Sequence, residues 1–387
     1  MKKIKTLSLT AALLLSASLV LSGCGEEEAA ASGITEIRDM TTMELVHDMG
    51  QGINLGNTLE ACGDWISPAG GVFGYETAWG SPYITQEAIQ GYADLGFGVL
   101  RIPVAWSNLM EEDYTISQEL MDRVKQITDW TLETGMYAIV NIHWDGGWWE
   151  KFPTDYDECM KKYTRVWEQI CEGFKDYGDK VMFESLNEEG GWNSVWNQYG
   201  SSTDGKSDSY GLLNDINQKF VDIVRASGGN NEGRHLLIAG YNTDVNLTCD
   251  ELFKMPSDPA GRCAVSVHYY TPSTFCILEK DESWGKAKKT WGDDKDLEEL
   301  HKYMDMLKTT FIDKGVPVII GEYGVAQGNK EKEQIENFMV TVSDAIYDIG
   351  ACPVIWDIHN AFYNRNTHQF LFPDMLEKIM ESKENHA

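Results

Sequence analysis

Basic residues are scarce in this chain. Its 387 residues carry 32 Lys and Arg against 61 Asp and Glu, a formal net charge of −29. Such an acidic balance argues against nucleic-acid backbones and anionic membrane surfaces as partners. Metal and redox signatures are missing too. No two cysteines form a CxxC pair and no HExxH occurs, so no zinc ribbon, disulfide scaffold, metal or other cofactor is expected. The one N-terminal apolar run, residues 7–21, is too short for a comfortable membrane span. After residue 33 there is no linker, internal duplication or low-complexity tract. Aromatic residues, in contrast, are plentiful: 13 Trp, 17 Tyr and 13 Phe in a chain that is 42% hydrophobic. That composition supports a folded core. It also suits neutral, ring-shaped ligands such as sugars, on which flat aromatic faces stack without charge.

The N-terminus reads as a leader. Lys2, Lys3 and Lys5 precede the apolar run, and Leu21-Ser22-Gly23-Cys24 follows it. This resembles a bacterial lipobox, with acylation at Cys24. Residues 1–23 are then a lipoprotein signal peptide, 24–33 an acidic tether, and 34–387 one catalytic domain. The product is expected to be exported, either anchored on the cell surface at Cys24 or secreted, touching membrane only through lipid. Seven other cysteines remain, at positions 62, 159, 171, 249, 263, 276 and 352. Seven is odd, so at least one is unpaired; a single bridge stays open. Cys263 and Cys352 sit in apolar runs and read as buried small hydrophobes.

Short apolar runs recur at 52–55, 99–103, 137–143, 180–186, 235–239, 264–269, 316–322 and 353–357. Helical stripes lie between them. Met121, Val124, Ile127 and Thr131 form one before Gly135; Val166, Ile170 and Phe174 a second before Gly178. Leu213, Ile216, Phe220 and Ile223 form a third before Gly228; Leu297, Leu300, Met304, Leu307 and Phe311 a fourth before Gly315. Eight strands alternating with helices predict the α/β class, as a single-domain (β/α)₈ TIM barrel. The helix-to-strand turns are tiny, while the strand-to-helix segments 57–84, 144–158, 188–210 and 270–295 are long. In a barrel those long loops share the C-terminal face, where sites are built.

Polar and aromatic residues collect at the predicted strand ends: Arg101, His143 with Trp144, Asn187 with Glu188, His268 with Tyr270, Glu322, and Trp356. Each alone has a packing explanation, but six of eight strands would deliver such groups to one face. Glu188 and Glu322 close apolar runs, where an isolated charge needs a partner or a purpose. Two glutamates facing each other across a barrel mouth suit glycoside hydrolysis, one protonated and one ionised. Arg101 is placed to hold the nucleophile ionised, and Tyr270 to donate a hydrogen bond to it.

These residues, in this order and spacing, resemble glycoside hydrolase family 5 of the retaining (β/α)₈ clan. The resemblance rests on Asn187-Glu188, on Glu322 in IIGEYG, on His268 and Tyr270 in HYYTP, on His143 in NIHW and on Trp356 in IWD. The stretches 52–61, 227–231 and 268–275 are similar to the subfamily rich in β-1,4-glucanases and xyloglucanases. The resemblance implies an endo-β-1,4-glucanase acting on β-glucan, with Glu188 as acid/base and Glu322 as nucleophile. It also implies that Arg101, His143, Trp144, Asn187, His268, Tyr270 and Trp356 bind substrate. One residue departs from the pattern: Glu189 stands where the family usually has Pro. The exposure habit of glutamate predicts that it points to solvent.

Retention requires carboxyl groups about 5–5.5 Å apart. Trp65, Trp79, Trp144, Trp148, Trp149, Trp192, Trp196, Trp284 and Trp291 fall in or beside the long loops. About half are expected to pack and the rest to serve as sugar platforms, which favours a polymer substrate. A monomer is expected. Xyloglucanase and β-mannanase readings share every catalytic residue. A non-catalytic, lipid-anchored sugar-binding protein and a degenerate barrel are the remaining alternatives, and the intact glutamate pair argues against both.

Overall fold

The computed structural model describes residues 34–386; the leader, Cys24 and the tether lie outside them. Eight parallel strands close into a barrel in sequential order. They are β1 (Gly52–Asn54), β2 (Val99–Ile102), β3 (Tyr137–Asn141) and β4 (Val181–Glu184). Then come β5 (Leu236–Ala239), β6 (Cys263–Tyr269), β7 (Val318–Tyr323) and β8 (Cys352–Ile355). All eight coincide with the apolar runs, because a barrel strand is buried on both faces and needs apolar residues on each.

The outer helices are α1 (Gln86–Asp94), α2 (Gln118–Glu133), α3 (Tyr156–Phe174) and α4 (Lys206–Ala226). They continue with α5 (Val245–Thr248), α6 (Asp294–Thr310), α7 (Lys332–Asp348) and α8 (Pro373–Asn385). The predicted stripes face inward: Val124, Ile127, Val166, Ile170, Leu213, Ile216, Leu300 and Met304 are buried against the strands, with Leu297 partly so. Gly135 and Gly315 take φ of 90° and 81° in the turns after α2 and α6, a conformation that disfavours other residues. The fifth crossover holds a 3-10 turn (Tyr241–Thr243) and the one-turn α5, and a small hairpin (Tyr363–Asn364 with Gln369–Phe370) follows β8.

Strand parity splits the core in two. Leu100, Ile102, Ala138, Val140, Phe183, Leu236, Ile238, Val265 and Val267 point outward to the helices. Val99, Tyr137, Ile139, Met182, Leu237, Ala264, Ile319 and Val354 fill the barrel floor. A helix at Thr42–Met49 plugs that floor with Leu45, Val46 and Met49, its start fixed by a Thr41/Glu44 capping box. Further along the same inward parity, apolar residues give way to Asn54, Arg101, Asn141, Glu184 and Ser266, all buried. The polar tier therefore rests on a solid apolar base.

All seven cysteines are free, so no bridge forms among the described residues. Cys352 is buried as expected; Cys263, the first residue of β6, is only half-buried because it lies at the strand's edge.

Candidate active site

Arg101 occupies the centre of the polar tier, fully buried. Its Nε donates to Glu184 Oε2 (2.7 Å), and its Nη1 to Asn54 Oδ1 (3.0 Å) and Glu322 Oε1 (2.8 Å). Its Nη2 donates to Asn187 Oδ1 (2.9 Å). Burial works against this charge, but Glu184 and Glu322 outweigh it. Glu184 is sequestered further by Ser266 Oγ (2.7 Å) and Asn141 Nδ2 (3.1 Å). One carboxylate is thereby spent on fixing the arginine, and the other, Glu322, is left facing the barrel mouth.

Glu322 accepts a second hydrogen bond at Oε2 from the Tyr270 hydroxyl (2.9 Å). Burial raises the Tyr270 phenol well above its usual range, Glu322 adding to the effect, so the hydroxyl stays a donor. The sheet is irregular here: register shifts fall between Val267 and His268 on β6 and between Ile320 and Tyr323 on β7. Such irregularities re-aim side chains beside active sites; here His268 pairs with Glu322 across the ladder. His268 Nδ1 lies 2.7 Å from Glu188 Oε1 and 3.6 Å from Glu322 Oε2. Oxygens of the two glutamates and the imidazole nitrogen all lie within 4.8 Å of one another.

Glu188 is not the end of its strand, as the apolar run suggested. β4 stops at Glu184, and Glu188 stands four residues on, in the loop, with 46% of its side chain exposed. Its carboxyl is drawn below the usual range: burial opposes this, but the His268 hydrogen bond and charge prevail. Burial pushes Glu322 up, with His268 and Arg101 resisting and Glu188 repelling. Groups this close titrate as a unit.

His143 is nearly buried, and Asn141 Nδ2 meets its Nδ1 at 3.3 Å, which leaves Nε2 as the donor. Burial, then Arg101 and His268, hold its pKa well below normal, so it is neutral. Its ring lies parallel to Trp356, 5.8 Å between centroids with 6° between planes. Asn187 gives its carbonyl to Arg101, so its amide N–H groups remain to donate. Trp144 is 45% exposed beside His143. Arg101, His143, Asn187, Glu188, His268, Tyr270, Glu322 and Trp356 thus meet in one constellation at the C-terminal ends of the strands, while Trp144 lies beside it and lines a groove of its own.

Of the loop tryptophans, Trp65, Trp144 and Trp284 are exposed, Trp79, Trp148 and Trp149 intermediate, and Trp192, Trp196 and Trp291 buried. Trp144, Tyr75, Asn108 and Asp145 line an open groove of about 580 Å³.

Glu189 contradicts its expectation. It is fully buried rather than solvent-facing, and neither carboxyl oxygen has a hydrogen-bond partner. The chain turns sharply there: Gly190 and Gly191 have φ of 122° and 43°, and Asn242 N–H donates to the Glu189 carbonyl (2.5 Å). That turn directs the side chain inward. Burial, with Glu188 and Glu184 adding repulsion, raises its pKa well above the usual range, which favours the neutral acid.

Sequence reasoning gave no role to Asn141 and Glu184, which it met only as polar strand ends, nor to Asn54 and Ser266; together these four hold Arg101 and Glu322 in place. Period-two parity from the floor residues would have found them: Ile139 to Asn141, Met182 to Glu184, Ala264 to Ser266.

Comparison with known proteins agrees with this arrangement. The family model for cellulase (glycosyl hydrolase family 5) matches residues 59–362. A xyloglucan-specific endo-β-1,4-glucanase of Bacteroides ovatus is 35% identical over 345 residues, 84% of this chain and 66% of that protein. Endoglucanase A of Paenibacillus barcinonensis is 30% identical over 400 residues, covering 92% of this chain and 94% of its own. The solved glycoside hydrolase 5 lichenase of Caldicellulosiruptor sp. F32, a mutant in complex with cellotetraose, superposes with a TM-score of 0.81 at 29% identity. That match covers 90% of this chain and 97% of the lichenase. With the barrel, the glutamate pair and these likenesses in agreement, the chain belongs to glycosyl hydrolase family 5.

Proposed function

We propose that this enzyme is a retaining endo-β-1,4-glucanase that cleaves β-glucan polysaccharides, with Glu322 as nucleophile and Glu188 as acid/base. The observation that carries this reading is the approach of the two carboxylates to within 4.8 Å, with Arg101 and Tyr270 both donating to Glu322. The close spacing leaves no room for a water between the groups and suits double displacement. In the first step Glu188 protonates the departing glycosidic oxygen while Glu322 attacks the anomeric carbon. The hydrogen bond to His268 Nδ1 is a ready path for that proton onto Glu188. Once Glu188 is protonated its repulsion of Glu322 vanishes, and Arg101 holds the nucleophile ionised. In the second step Glu188 takes a proton from water, which releases the sugar from Glu322. Asn187 N–H and His143 Nε2–H are the free donors for sugar hydroxyls, and Trp356 is the apolar platform beneath the ring.

The open groove beside Trp144 favours a polymer over a disaccharide. The Bacteroides ovatus relative favours xyloglucan as a second substrate. We infer that the domain acts after export, as a monomer tethered at Cys24.

The test is sugar release from carboxymethylcellulose, barley β-glucan, xyloglucan and mannan by wild type and Glu322→Gln. Activity on the glucans should fall roughly 10⁴-fold or more in the variant. Proton NMR of the first product should show the β-anomer. An α-anomer first, or a fully active variant, overturns the proposal.

A further inference from the structure

Trp356 is held from behind by a buried polar cluster that the mechanism does not use. Gly56, in the loop after β1, lies against its ring. A Cβ on Gly56 would meet two ring carbons at 3.0 and 3.1 Å and the Asp357 carbonyl oxygen at 2.7 Å. Gly56 N–H donates to that same carbonyl (3.0 Å). A second donor reaches it from the hairpin after β8: Arg365 Nη2, at 3.1 Å. Arg365 is 2% exposed. Its Nη1 donates to Thr58 Oγ1 and Ser81 Oγ, both at 2.9 Å, and its Nε to the Tyr92 hydroxyl of α1 (3.1 Å). Thr58 Oγ1 donates in turn to the Gly56 carbonyl (3.1 Å). Asp357 Oδ1 accepts from Phe362 and Tyr363 N–H (2.8 and 3.1 Å), closing the turn that presents the arginine.

We propose that Arg365 is a positioning residue for the reaction, clamping the loop after β1 to the loop after β8 so that Trp356 stays seated on Gly56 and parallel to His143. The inference rests on the reading of Trp356 as the sugar platform. Arg365 itself touches none of the residues proposed to meet substrate. Its planar fork matters because one group must serve a carbonyl on one loop and a hydroxyl on the other at once; a lysine ammonium cannot span both in the same geometry. The charge is matched locally. Asp357 Oδ2 lies 3.6 Å away without a hydrogen bond, and Glu60 stands close by, bound to the N–H groups of Asn57 and Thr58. Burial pushes Glu60 up to about 7 and Asp357 to about 6, and Arg365 restrains both. When the arginine is removed, both acids can take up protons, so the cluster need not be left with bare charge.

The experiment compares wild type, Arg365→Lys, Arg365→Met and Thr58→Val in the full chain. Readouts are kcat and KM on barley β-glucan and on an aryl cello-oligosaccharide, melting temperature, and near-UV circular dichroism with Trp356→Phe as the reference for the Trp356 band. Displacing the platform should cut kcat about tenfold or more in Arg365→Met on both substrates, because small misplacements near the reacting atoms are costly. KM for the polymer should stay within about twofold, since its remaining contacts are distant. The Trp356 band should change, and Arg365→Lys should recover part of the loss. Thr58→Val removes only one arm of the clamp. It should lower kcat at assay temperatures well below its melting temperature, which the lost buried hydrogen bonds should reduce by about 10 °C or less, and it carries the test if Arg365→Met fails to fold. Unchanged kcat in folded Arg365→Met, or in both Thr58→Val and Arg365→Lys, overturns the proposal. So does a loss confined to melting temperature. A wild type inactive on every glucan would instead overturn the functional reading, while the Trp356 band would still report on the clamp.

Discussion

Arg101 and Arg234 are both fully buried, yet they sit at opposite ends of the barrel and do opposite work. Arg101, at the C-terminal ends of the strands, binds only side chains, two of them carboxylates. Arg234 lies just before β5. Its Nη1 donates to the carbonyls of Gly178 and Val181 (3.0 and 2.8 Å), and its Nη2 to those of Phe174 and Tyr177 (2.8 and 2.9 Å). Its Nε reaches Asn231 Oδ1 (2.8 Å). Among the described residues no carboxylate pairs with it directly; burial lowers its pKa to about 9, with Asp179 giving only weak support from a distance. Carbonyl dipoles satisfy a cation's hydrogen bonds without cancelling its charge. The first arginine therefore serves a reactive carboxylate; the second staples the end of α3 to the start of β4.

Substituting Arg101 tests the reactive end and should give the largest effect. Arg101→Lys keeps a cation between Glu184 and Glu322 but cannot hold four partners in one plane. We expect kcat on barley β-glucan to fall roughly 10²- to 10³-fold. The melting temperature should move by only about 5 °C or less, because the charge balance is retained. Steady-state kinetics beside a thermal melt checks this. A variant that loses stability and activity in step would make Arg101 a staple like Arg234.

Arg234→Met should show the reverse. It takes a donor from four backbone carbonyls; those of Phe174 and Gly178 keep a backbone N–H (Tyr177 at 3.0 Å, Val181 at 3.3 Å), those of Val181 and Tyr177 lose the arginine outright. Each buried orphan costs ~1–3 kcal/mol, so urea unfolding should report a loss of about 3 kcal/mol or more. The folded fraction should retain kcat within about twofold, given the distance from the site. A large fall in kcat per folded molecule would dissolve the distinction between the two ends.

Much of this contrast was legible in the sequence. The eight apolar runs marked the strands, since burial on both faces leaves little choice of residue. The helical stripes and the glycines closing α2 and α6 marked the crossovers. Arg101, Glu188, His268, Tyr270 and Glu322 stood out because polar groups after apolar runs need a reason. Glu184, the last residue of β4, drew no role of its own, because its partner Ser266 is 82 residues away; only barrel closure brings them together. The Arg365 cluster was equally silent, being assembled from the segments after β1 and after β8 and from α1. Glu189 was misread because residue type predicts exposure only on average, while the Gly190–Gly191 turn decides it here.

Glu189 also completes the comparison, as the acidic counterpart of Arg234: a buried ionisable group without a directly paired opposite charge, driven towards its neutral form. Its pKa in the folded chain is raised above the ordinary glutamate value. The stability this proton confers is therefore full below about pH 4.3, where the unfolded chain is protonated as well. It is lost progressively as pH rises from there towards the folded value. Glu189→Gln keeps the shape and removes the titration. Relative to this variant, the wild type should lose stability above about pH 4.3 by at most about 1.4 kcal/mol per pH unit. Urea unfolding of both proteins at pH 4, 6 and 8 measures it. Curves that stay parallel across that range would mean that Glu189 is ionised in the folded protein. It would then need a cationic partner, as Glu322 has in Arg101, and the rule that an uncompensated buried charge yields to neutrality would fail at this position.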